Sequence, residues 1–386
     1  MPLRKAIPVL FAIILAGCGN GYEKVSNISL IPFSPTKAGK WGYINSNGEM
    51  VIDTLFTNQP GFFRDGFAVI QNEDGTYDYV DESGRVSTKH YKSAAMFSEG
   101  LACVAAINGK PEYINSRFET VIRLPKASLA GMFSEGLAKY QDSTGRWGFI
   151  DKSGRIAVKP AYHYAMSFSE GLSAVAVNTK TGIISGYIDK AGKQAIPLSS
   201  KYINLRPFSG GLAAYLTAEG WGYMNNIGGT AIKPNSEWAE ATDFREGYAS
   251  VRIANKWGVI DKQGFIIIEA KFDSPVVFYN ELAAVSIAGL TGFIDKSGKF
   301  AIEPHFDAIA LPFVCENAFV AVEGLWRLVN PEGNIIGYTG FKRINAGYEE
   351  IFDYDATIAS DYFDFAGYSA KIDRKSTRLN SSHGKL

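Results

Sequence analysis

A five-residue motif recurs nine times along this chain, at steps of 34–38 residues. It reads Trp-Gly-aromatic-Ile-Asp, and full copies include Trp147-Gly148-Phe149-Ile150-Asp151 and, with Asn closing, Trp221-Gly222-Tyr223-Met224-Asn225. The copies begin at positions 41, 77, 111, 147, 185, 221, 257, 291 and 326. A fixed period of this size means stacked supersecondary units that share one core, and it makes most residues structural by default. The 386 residues are therefore read as one long array and not as two or three ordinary domains.

Each unit holds three strand-like runs. The first is the motif itself. It ends in Asp or Asn in all nine copies, and in eight of them Gly follows three residues later, as in Asp151 to Gly154. That spacing predicts a tight turn in which the Asx side chain bonds the backbone and Gly takes the left-handed position. A second run follows, such as Arg155-Ile156-Ala157-Val158-Lys159-Pro160, often stopped by a proline that cannot donate to a ladder. The third run opens with Phe-Ser-Glu-Gly-Leu-Ala, clearest at Phe97 to Ala102 and Phe133 to Ala138. Little room remains for helix, so the class is all-β. One unit cannot bury its own apolar face; stacked units can, each large side chain contributing roughly 1.5–3 kcal/mol on burial. Five of the six tryptophans start a motif, namely Trp41, Trp147, Trp221, Trp257 and Trp326. That regularity predicts a packing role for them.

Two ways of arranging about nine such β units are open. An open β-solenoid or superhelix is favoured over a closed propeller, because three strands and about 36 residues per unit fall short of the usual four-stranded blade. The pattern resembles the WG-repeat family over about residues 33–340. The departures are Tyr77-Asp78-Tyr79, Pro111-Glu112-Tyr113 and Trp326-Arg327-Leu328, which lose the glycine. The resemblance implies a fold far more than a function, since the family spans bacterial proteins of diverse roles.

The two ends stand outside the array. Arg4 and Lys5 precede an apolar run, and Leu15-Ala16-Gly17-Cys18 follows. This resembles the lipobox of bacterial lipoproteins, which implies a signal peptide over 1–17, cleavage before Cys18 and acylation of that cysteine. Several acyl chains on one residue anchor firmly to a bilayer. Residues 18–32 then form anchor and linker. Gly19, where Asp would favour retention at the inner membrane, leans the expectation towards the outer membrane. At the other end, residues 341–372 break the period and are acidic and aromatic, as a cap or the start of a further domain. Residues 373–386 resemble the translation of a sequencing adapter and are excluded from the fold reading.

Charge and chemistry narrow the function by exclusion. Lys plus Arg and Asp plus Glu each number 39, without the basic stripe that marks a nucleic-acid binder. Cys103 and Cys315 lie six units apart, too far to pair in an extended array. His90, His163 and His305 are likewise too scattered to share a metal, and no zinc, phosphate-loop or metalloprotease spacing occurs. Asp65, Glu99, Glu135, Glu170 and Glu246 recur once per unit, unlike the paired acids of a glycosidase. They are expected to bond the adjacent Gly turn. Lys152, Lys190, Lys262 and Lys296 sit in the other turn, whose Asp-Lys-Ser-Gly offers too few oxygens for calcium. No catalytic residue, metal or cofactor is expected. The favoured reading is a non-enzymatic, membrane-anchored scaffold of the bacterial envelope that binds a protein partner. The alternatives are a glycan- or peptidoglycan-binding lipoprotein, with Tyr22, Tyr279 or Trp238 stacking on sugar rings, and the targeting arm of an enzyme with a further C-terminal domain.

Overall fold

A computed structural model of the chain describes residues 30–344, apart from 37–38, 107–108, 314–315 and 342. Cys18, Cys315, Tyr22 and the segments 1–29 and 345–386 lie outside the described residues. Units are numbered one to nine here in the order of their motifs.

The described chain is all-β and every strand pairing is antiparallel. It forms eight four-stranded sheets and one two-stranded sheet. Unit five is representative, with strands Tyr164–Ala165, Leu172–Thr179, Gly182–Asp189 and Gln194–Ser199 in that spatial order. The third strand carries the motif and is buried through Tyr187 and Ile188. The fourth is an exposed edge that buries one residue, Ile196. Between the motif strand and the fourth strand the register shifts twice, at Ser185↔Ser199, Tyr187↔Ile196 and Ile188↔Gln194. Several residues of the fourth strand thus bulge past one glycine.

The open solenoid expected from the sequence is not formed; the array closes into a β-propeller. The N-terminal strand Ile31–Ser34 pairs with the C-terminal strand Arg343–Ile344, in the register Phe33↔Ile344 and Ser34↔Arg343. Together with Trp41–Ile44 and Met50–Phe56 they make one blade from both ends of the ring. Ile31, Phe33 and Phe62 share a buried cluster with Leu311, Phe319, Leu328 and Ile344. Asn317 Nδ2 also donates to the Ser46 carbonyl at 3.0 Å. Closure covers two apolar blade faces that an open array would leave to caps. The sequence hides closure because of the first strand of each blade. It is only two residues long in units three, five, six and eight, too short for any periodicity to register. Unit two is the exception to the four-stranded pattern. Its sheet is Phe67–Gln71 with Tyr77–Asp81, and the chain after it forms no regular fourth strand, pairing with the sheet through the isolated bridges Val80↔Val86 and Tyr77↔Tyr91.

Candidate interaction face

In a four-stranded antiparallel blade the turn between strands one and two and the turn between strands three and four lie at the same end. Together they form one face of the ring. The first turn is Ser-Glu-Gly-Leu, and Glu99 and Gly100 both have positive φ, 56° and 81°. This is the hairpin geometry that normally selects Asn-Gly. A glutamate there is strained by about 1–3 kcal/mol, and its carboxylate makes the offsetting contacts. Glu99 accepts from the Gly136 amide of the next unit at 3.1 Å and pairs with Lys152 at 2.9 Å. Glu135 repeats this with Gly171 (2.9 Å) and Lys190 (3.1 Å), and Glu246 with Asn280 (3.1 Å) and Lys296 (3.1 Å). Asp65 and Glu170 make the amide contact, to Gly100 and Gly211, at 2.8 and 2.9 Å. The acids therefore do not bond the turn of their own unit, as the sequence suggested; they lace each blade to the next. The serine before them does the same from the other side, Ser98, Ser134 and Ser169 each donating at 2.7 Å to the carbonyl of Phe133, Phe168 and Phe208. Partial desolvation of Lys296 opposes its charge, but the hydrogen bonds its ammonium donates to Glu281 and Glu246 hold its pKa above the ordinary lysine value.

The second turn starts at the Asx that closes the motif. Asp151 Oδ1 accepts from Ser153 N (2.9 Å), Ser153 Oγ (2.6 Å) and Arg155 N (3.0 Å). The Ser153 hydroxyl is the largest cause of a carboxyl pKa lowered to about 2. The turn glycine has two reasons to be glycine. Gly154 has φ 80°, and a Cβ on it would stand 2.9 Å from Ile122 Cγ2 of the preceding blade. Gly192 meets Val158, Gly228 meets Ile196 and Gly264 meets Ile232 in the same way. In these four cases the one buried side chain of the fourth strand is thus seated on the turn of the following unit.

The motif glycine has a different cause. A Cβ on Gly148 would lie 2.5 Å from the Val158 carbonyl oxygen, and one on Gly186 2.5 Å from that of Ile196. The bulging fourth strand passes directly over the glycine. Of the motif tryptophans, Trp41, Trp221 and Trp257 are buried, and Trp147 and Trp326 are half-buried. Trp221 Nε1 donates to the Ala239 carbonyl at 3.2 Å, and the Lys139 ammonium lies 5.5 Å from the Trp147 ring centre. Trp238, weighed above as a sugar platform, is only 5 % exposed.

Two sectors show what departures from the pattern do. Where Gly is replaced by Asp78 or Glu112, the fourth strand is missing or shifts register once instead of twice, with Glu112 directly opposite Arg123. Asp78 is buried and bonds His90 Nδ1 at 2.7 Å. Tyr91 nearby is held up at about 12 by burial, with Glu112 and Asp78 adding to it. In unit three the turn glycine is replaced by Phe118, at φ 60°, whose ring packs on Phe67 and Tyr79 at 5.3 and 5.8 Å. It fills space that the fourth strand of unit two would otherwise occupy. In the second sector, at units six and seven, Gly210 stands at the acid position and Asn226 at the lysine position.

The histidines are scattered. His90 bonds Asp78; His163 Nδ1 lies 2.6 Å from Arg146 Nη1 and 3.0 Å from the Asn178 amide; His305 Nδ1 lies 2.6 Å from the Glu303 carbonyl. Two donors on Nδ1 keep the proton of His163 on Nε2, and desolvation followed by the Arg146 charge lowers its pKa. Among the described residues no three His, Cys, Asp or Glu side chains converge to hold a metal. Cys103 is buried and free, its thiol pushed up to about 12 by burial.

Comparison with known proteins fits this geometry. No curated protein matches the chain. Among solved structures, one described as a eukaryotic initiation factor superposes with a TM-score of 0.58 at 12 % identity, covering 82 % of this chain and 96 % of that one. BamB from Moraxella catarrhalis aligns with a TM-score of 0.40 at 15 % identity, over 69 % of this chain and 88 % of that one. At such identity the first likeness speaks for the fold alone. The profile described as "WG containing repeat" matches residues 41–77, 79–110, 147–180, 186–217, 221–257, 257–290 and 292–326. These seven segments span more than half of the chain, which belongs to the WG-repeat family.

Proposed function

We propose that the ring is a non-enzymatic scaffold that binds a protein partner through its turn face, held at a bacterial envelope membrane by lipid on Cys18. The observation that carries the reading is the division of labour within each unit. The motif strand, the turn glycines and the Glu–Lys pairs are committed to holding one blade on the next. What varies between units is the turn face itself, where Asn226, Ile227, Gly210 and the Asn280-Glu281 pair replace the common residues. Partner choice then rests on loop side chains displayed by a rigid ring.

The test is capture from crosslinked native envelope with the full chain as bait. One stoichiometric protein partner supports the scaffold. Retention on purified envelope polysaccharide, with no protein partner, moves the reading to glycan binding. Anchoring is tested separately: Cys18→Ser should release the protein from the membrane fraction, and an unchanged distribution would remove the lipid from the account.

A further inference from the structure

The contacts between blades define a repeated carboxylate site. At units three to four, four to five and seven to eight, a glutamate of one unit receives a main-chain amide and a lysine ammonium from the next. At units six to seven the two donors are present and the acid is not. Gly210 takes its place, with φ 64°, close to the 48–56° of the glutamates. A Cβ on Gly210 would stand 3.6 Å from Lys262 Nζ. The Gly247 amide occupies the position of the Gly136 and Gly171 amides, and neither it nor the exposed Lys262 ammonium has a hydrogen-bond or ion-pair partner among the described residues. Exposed apolar residues stand in the second turns of both units. Ile227, in the turn of unit six, is 81 % exposed, and Phe265, in the same turn as Lys262, is 68 % exposed.

We propose that this sector is a docking site for an acidic side chain of a protein partner, an Asp or Glu flanked by apolar residues. The claim rests on the scaffold reading and narrows it to one place. The carboxylate joins Gly247 N–H and Lys262 Nζ as Glu135 joins Gly171 N–H and Lys190, while Phe265, in the same turn as Lys262, receives a flanking apolar side chain. A carboxylate is the occupant because the protein itself supplies one at the equivalent position in five other units, from Asp65, Glu99, Glu135, Glu170 and Glu246. A charge-assisted pair of donors gives such a contact its geometry and strength. Exposed apolar residues beside it favour a polypeptide over a free small anion.

The test is selection of a phage-displayed random dodecapeptide library on the full chain, in parallel with three variants. Gly210→Glu supplies the carboxylate internally at a backbone angle four other units already use, so it should fold and block the site. Gly210→Ala occupies the position without charge and should still bind. Lys262→Asn copies Asn226 and should weaken binding. The expected result is a set of peptides with Asp or Glu between apolar residues, whose affinity falls about tenfold or more with Gly210→Glu and with Lys262→Asn, but not with Gly210→Ala. Peptides that bind all four proteins alike, selected peptides without an acid, or no selected peptides at all would each overturn the site. The scaffold reading would stand or fall separately, on the envelope capture.

Discussion

The hydroxyl of Tyr223 donates a 2.7 Å hydrogen bond to the main-chain carbonyl of Thr242, in the next blade. The same bond recurs from Tyr43 to Gly61, Tyr79 to Ala95, Tyr113 to Gly131 and Tyr187 to Arg206. Where the motif carries Phe149, the equivalent Met166 carbonyl accepts instead from Ser173 Oγ; where it carries Val259, the Val276 carbonyl accepts from Ser250 Oγ. At seven successive junctions one carbonyl thus finds a hydroxyl by whichever side chain reaches it. Replacing Tyr223 by Phe strands that acceptor and should cost about 1–3 kcal/mol. Ser173→Ala should cost a similar amount, read from urea unfolding of each variant. A loss within error for both would mean that water satisfies these carbonyls.

The motif glycine should resist the smallest enlargement. With the Val158 oxygen 2.5 Å from its would-be Cβ, Gly148→Ala forces the fourth strand away and should destabilise by about 1–3 kcal/mol. The urea midpoint checks it, with Gly136→Ala as a comparison: Gly136 has φ 85° and nothing within 4 Å of a Cβ, so only backbone strain applies there.

Restoring the consensus should fail at one position. Phe118 has a positive φ that glycine would favour, yet its ring fills the junction beside Phe67 and Tyr79. Phe118→Gly should therefore destabilise, by about 3–5 kcal/mol if the cavity does not collapse. A stabilised variant would show that the ring is dispensable.

Acid should weaken the fold in two steps. His163 has its pKa lowered from 6.5 because burial and Arg146 disfavour its charged form. Its contribution is present above pH 6.5 and is lost as pH falls below that value. Asp151, lowered from 3.8 to about 2, and Asp142 and Asp295, also lowered, contribute above pH 3.8 and lose that contribution as pH falls towards 2. The urea midpoint measured against pH should show both declines, and His163→Gln should flatten only the upper one. An upper step unchanged in that variant would remove His163 from the account.

Much of this fold is legible in the sequence, and the illegible parts have physical causes. The unit period, the Asx–Gly turns and the strand class follow from local chemistry within a few residues. Ring closure does not, because Phe33 and Ile344 pair across more than 300 residues, and a two-residue strand such as Tyr164–Ala165 carries no periodicity. The acids were legible as a recurring set, but their partners were not: Glu99 reaches Gly136 and Lys152, 37 and 53 residues away. The open carboxylate position at Gly210 becomes visible only once those pairs are known.

Closure itself is tested most directly by a distance between the two ends of the ring. Asn47 and Glu332 occupy equivalent, exposed turn positions in units one and nine. Spin labels on Asn47→Cys and Glu332→Cys, with Cys18 and Cys315 changed to Ser and Cys103 left buried, can be measured by double electron–electron resonance. Neighbouring sheets pack about 10 Å apart, so with label linkers the closed ring predicts a single distance of about 15–30 Å. An open array of nine units would separate the labels by about 80 Å, and a distance near that value would contradict the propeller.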